Sequence, residues 1–128
     1  MKLIRFHATD NGESRFQEIE VPVNNVRTPA DGIRQSTSWS SPAVRFVDLP
    51  AGLSQSWHHA PARQIVVVLA GTVEVETTDH EKRRRGPGEA FIADDLTGTG
   101  HSTRVIDGPA TVMFVELPEG FDVARWSV

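Results

Sequence analysis

The stretch WHHAPARQIVVVLAG, residues 57–71, joins two adjacent histidines to a short apolar run that ends at a glycine. The run QIVVVLA (64–70) is β-branched and shorter than an ordinary helix, so it predicts a strand buried on both faces. Side chains alternate along a strand, which sends His58 and Ala60 one way and His59 the other. A turn at APAR intervenes before Gln64, whose face is shared by Val66 and Val68. With that face lining a barrel, His58 and Gln64 point inward together. His59 then points outward or toward a neighbouring subunit.

Strand-like segments continue on both sides. LIRF (3–6) and FQEIEVPV (16–23) alternate apolar and polar residues, and AVRFVDL (43–49) is bracketed by Ser41-Pro42 and Pro50-Ala51-Gly52. TVEVETT follows Gly71, EAFIA (89–93) follows Gly86-Pro87-Gly88, HSTRVI (101–106) follows Gly98-Thr99-Gly100, and ATVMFVEL (110–117) ends at Pro118. Turn signals recur at intervals of about ten residues, and no long segment carries a helical period. The chain is therefore expected to be all-β, a sandwich or small barrel, with one domain over 1–128. Residues 24–42 are polar and punctuated by Pro and Gly, and are expected to form a long loop over one barrel mouth. HEKRRRG (80–86) is expected to be a solvated hairpin tip.

Bulk properties narrow the chemistry. The 128 residues are 38% hydrophobic and 23% charged, with a net charge of −4. That balance offers no electrostatic reason to bind nucleic acid or an anionic membrane. The absence of cysteine removes disulfides, thiolate metal sites and a cysteine nucleophile. Any metal must be held by histidine, carboxylate, amide or water. The N-terminus lacks the apolar stretch of a signal peptide, and no run is long enough to span a bilayer, so a cytoplasmic location is expected.

The spacing of glycines and polar residues resembles the cupin superfamily. Gly52 is followed by five residues, then His58, one residue, Ala60, three residues, Gln64, six residues, and Gly71. That is similar to the first cupin motif, in which a glycine leads to His-x-His, a glutamate and a glycine. Sixteen residues separate Gly71 from Gly88, where GEAFIADDLTGTGH (88–101) resembles the second motif and ends at His101. Ala60 stands in place of the second histidine and Gln64 in place of the glutamate. Asp94 replaces a usual proline, and Val105 an expected asparagine. An alternative register that uses His59 misses the Gly52 spacing by one residue.

The resemblance covers about 43–117 and implies a cupin-type β-barrel, the jelly-roll or double-stranded β-helix. It implies a divalent metal (zinc, nickel, iron or manganese) on His58, Gln64 and His101. It also implies a homodimer, with the N-terminal strands in 1–23 reaching the second subunit. Pocket candidates are Trp39, Trp57, His59 and Asp95. Asp94 and Asp95 are general-base candidates as well as ordinary turn formers. Arg63, a conceivable clamp for a carboxylate, is expected to leave the pocket. Trp126 is expected to pack back on the barrel or onto a second subunit.

Two functions stay open at this point. One is an enzyme acting on a polar small molecule at the metal. The other is a non-catalytic, metal-free module that binds or senses a small molecule. The loss of a histidine at Ala60 favours the second, and the retention of His58, Gln64 and His101 favours the first.

Overall fold

In the computed structural model, which describes residues 1–26 and 30–127, the chain is built almost wholly of strands. They are β1 (Lys2–Ala8), β2 (Ser14–Glu20), β3 (Asn25–Val26), β4 (Arg34–Gln35), β5 (Val44–Leu49), β6 (Ser54–His58), β7 (Gln64–Glu76), β8 (Lys82–Arg85), β9 (Ala90–Asp94) and β10 (His101–Glu116). A single 3₁₀ turn, Val123–Trp126, follows. The main sheet runs β2-β1-β9-β7-β10-β5, with β6 added to β10 and β8 to β7. All pairings in it are antiparallel except β1 beside β9.

The architecture hangs on two long strands. TVEVETT does not start a new strand after Gly71, and ATVMFVEL does not start one after Pro109. Instead β7 and β10 run through both points and pair along most of their length. The ladder slips between Ile106 and Thr111, where Asp107 and Gly108 have φ of +52° and +116°. Gly71 lies opposite this bulge with φ +78°, and a Cβ there would come within 2.3 Å of the Pro109 carbonyl oxygen. Glycine and bulge form one kink, which bends the pair without ending it. One half of β7 then pairs with β9 (residues 64–67) and the other with β8 (residues 73–76). Likewise β10 pairs with β5 at one end and β6 at the other. The bend folds a single sheet over on itself and encloses a core.

Two apolar clusters fill the inside. One contains Phe6, Ala60, Val75, Phe91 and Ala93, and the other Val68, Val73, Val105, Ala110 and Val112. Ile92 lies between Phe91 and Ala93, so alternation sends it to the opposite face of β9. There it joins Ile19, Val21, Leu117, Val123 and Trp126. The tail therefore packs back on its own sheet, and Trp126 is buried.

Two expectations change on folding. HEKRRRG is not a free tip: Lys82–Arg85 is a strand laid against Val73–Glu76. Alternation points Arg84 toward Glu74, and Arg83 instead stacks over Phe16. The segment 24–42 is not all loop, since β3 and β4 pair within it; its residues 27–29 lie outside the described residues. The N-terminal strands join the main sheet, β1 lying between β2 and β9 and β2 at the sheet edge. Among the described residues no helix is long and apolar enough to cross a membrane.

Candidate functional site

The curled sheet surrounds a cavity of about 320 Å³. Its walls are apolar, with Phe6, Phe91 and Phe114 among valines and Leu49, and its polar lining is Arg45, Gln55, His58, Gln64, His101 and Thr103. Such a volume suits a small molecule with a few orienting polar contacts.

The two histidines come together through strand pairing. His58 ends β6, His101 opens β10, and they are direct partners in the β6–β10 ladder. Directly opposed residues share a face, so the rings meet, with centroids 4.5 Å apart. Gly100 makes the approach feasible: its φ is +80°, and a Cβ there would lie 2.0 Å from the His58 carbonyl oxygen. Gln64 opens β7, pairs with Ala93 and Glu116, and is buried at the same cavity.

Each imidazole is oriented from behind. His101 Nδ1 bonds Asp95 Oδ2 at 2.5 Å, and His58 Nδ1 bonds the Ser56 carbonyl at 2.8 Å. A carboxylate and a carbonyl only accept, so Nδ1 donates in both rings, and each ring in its neutral form leaves a lone pair on Nε2. Gln64 Oε1 is buried without a hydrogen-bond partner among the described residues. Lone pairs at two Nε2 atoms and one orphaned amide oxygen fit a divalent cation, with coordination positions left for water or substrate. No cluster of three or more histidine and carboxylate side chains suited to a metal occurs among the described residues, so a metal here needs the amide as third donor. Ala60 lines the cavity where the motif has a second histidine, and its methyl donates nothing.

The other candidates are dispersed. Asp95 does not line the cavity; it is fully buried behind His101, with Oδ1 unpartnered. Trp57 neighbours His58 on β6, so it faces the opposite way and is 39% exposed. His59 is exposed, and its Nδ1 bonds the Ala60 carbonyl. Trp39 lies at a separate pocket with Phe121 and Trp126, its ring 5.2 and 5.1 Å from theirs. Asp94 is more than a turn former, because it ends β9 and takes Arg5 Nη1 and Arg63 Nε, each at 2.5 Å. Arg63 does leave the pocket, toward Asp94.

Sequence reasoning missed the aromatic walls and Arg45. Phe6 carried a weak signal in the alternation of LIRF. Phe114 and Arg45 carried none, since their place depends on which strands become neighbours.

No family model matches the chain. Dimethylsulfoniopropionate lyase DddQ of Ruegeria pomeroyi is 39% identical over 67 residues, 52% of this chain and 32% of its own length. The crystal structure of that lyase aligns over 71% of this chain and 44% of its own, with a TM-score of 0.52 and 32% identity. The chain thus spans about a third to under half of the relative it matches. The Schizosaccharomyces pombe Cnp3 cupin domain aligns over 98% of this chain and 88% of its own, at TM-score 0.48 and 15% identity. A single β-sheet curled around an apolar-walled pocket with a few polar side chains is the class that the strand order and site define. More particularly, this chain is a cupin in fold.

Proposed function

We propose that the cavity holds a divalent metal on His58 Nε2, His101 Nε2 and Gln64 Oε1, and that the protein is a small cupin enzyme acting there on a polar small molecule. The observation that carries this reading is the buried, unpartnered Oε1 of Gln64 in a cavity also lined by two imidazoles whose Nδ1 atoms are already engaged. A buried acceptor without a partner costs about 1–3 kcal/mol, and a cation would remove that cost. Imidazole and amide donors accept zinc, nickel, iron or manganese alike. When bound, such a metal supplies Lewis acidity toward a substrate oxygen or activates water.

The chain's own residues do the positioning. Asp95 and the Ser56 carbonyl hold the rings, and the phenylalanine and valine walls exclude water from the reacting atoms. The likeness to DddQ supports a lyase, in which a proton leaves the substrate and a leaving group departs. No carboxylate lines the cavity, and the chain has neither tyrosine nor cysteine. With both imidazoles engaged at Nδ1 and Nε2, a departing proton would pass to water.

Ala60 favours a second reading, a metal-free module in which Gln64 and the histidines bond a ligand directly. Elemental analysis of gently purified protein separates the two. Near-stoichiometric metal, lost in His58→Ala and His101→Ala, is the expected result. Protein that retains no metal after incubation with divalent ions and dialysis would leave the binding module as the function.

A further inference from the structure

We propose that Arg45 anchors a carboxylate, and that the cavity takes a small monocarboxylate with an apolar body. The inference rests on the cavity being the functional site, and it does not depend on the metal. Arg45 is the direct partner of Phe114 on β10, and Phe114 is the partner of Val66 on β7. Opposed residues share a face, so this row of three looks into the barrel, and all three line the cavity. The guanidinium carbon sits 5.3 Å from the centre of the Phe114 ring, which holds the group at the apolar wall.

Other arginines of the barrel pair with carboxylates, and Arg85, over the Phe91 ring, is not among the residues that line the cavity. Arg5 and Arg63 share Asp94, and Arg84 and Arg104 share Glu74. Arg45 makes no ion pair with another described residue. It is also the one permanently charged residue in a lining that holds no carboxylate. A single planar guanidinium matches a single carboxylate in bidentate geometry. A phosphate dianion would call for further cationic donors, which the lining lacks. Ten apolar side chains larger than alanine around the cavity then select a hydrocarbon body.

Calorimetric titration of 3-methylbutanoate and of its amide, 3-methylbutanamide, tests the proposal, because the two have nearly the same shape and differ in charge. Both are titrated into zinc-loaded and chelator-treated protein, into Arg45→Gln and Arg45→Lys, and into His58→Ala. The carboxylate is expected to bind about tenfold or more tightly than the amide. Arg45→Gln is expected to remove that preference, and Arg45→Lys to keep part of it. Arg45 is exposed, so neither substitution threatens the fold. Equal binding of acid and amide, no binding of the acid, or a preference unchanged in Arg45→Gln would each overturn the anchor. Failure of the metal reading shows separately, as absent zinc in protein that still prefers the acid.

Discussion

His58 and His101 are cross-strand partners whose rings approach to 4.5 Å, although 42 residues of chain lie between them. The pair exists because β6 and the start of β10 close one end of the barrel. Its geometry is maintained by groups outside the cavity, chiefly Asp95 and Gly100.

Gln64 is the weak point of the donor set, because a neutral amide binds a cation less strongly than a carboxylate does. Gln64→Glu should hold metal through a dialysis that strips the parent protein, whereas Gln64→Ala should bind none. Metal content of the three proteins, measured side by side, checks both. Equal retention in all three would remove Gln64 from the site.

Asp95 acts through His101, as a positioning residue. Asp95→Asn preserves size but weakens the bond that holds the ring's tautomer, and metal affinity should fall about 10–100-fold. Chelator-competition titration reads the affinity, and nitrogen chemical shifts of His101 read the tautomer. A general loss of packing would leave the tautomer unchanged; an altered tautomer with reduced affinity is the expected pattern.

Gly100→Ala should damage fold and site together. Its left-handed φ alone costs about 1–3 kcal/mol, and the added methyl collides with the His58 carbonyl. Urea unfolding should show a loss of at least about 2 kcal/mol. Gly88→Ala is a control for φ alone, since its +84° conformation meets no atom within 4 Å. It should be the milder of the two.

Glu74 makes stability depend on pH. Burial works to raise its pKa, but hydrogen bonds from Arg84 and Arg104 outweigh burial and hold it below the ordinary glutamate value. A carboxyl with a depressed folded pKa stabilises the fold above its unfolded pKa, about 4.3. That stabilisation disappears as pH falls through the lower folded value. Glu74→Gln should therefore cost about 1 kcal/mol at neutral pH, a modest figure because both arginines are half in solvent. Thermal unfolding of the two proteins should converge as pH falls through that lowered folded value. A difference that stays constant with pH would rule out the ion pairs as its source.

Local signals along the chain announced much of this molecule. Alternation in FQEIEVPV and the β-branched run QIVVVLA follow from which faces are buried, a property that each segment carries in its own residues. The glycine spacing around His58, Gln64 and His101 likewise marks sharp backbone turns, which glycine alone makes easily. Strand neighbours are a different matter. Alternation says that Arg45 and Val47 share a face but not which residues stand opposite, and β5 pairs with β10 some 60–70 positions away. Trp39 and Trp57 sit near the histidines in sequence, yet one packs against Trp126 and the other faces outward from β6. The sequence by itself determined the strands, the turns and the residues able to donate to a ligand. Only the tertiary structure decided that Arg45 and Phe114 line the cavity while Asp95 stands behind His101, because long-range pairing and the Gly71 kink set which faces meet.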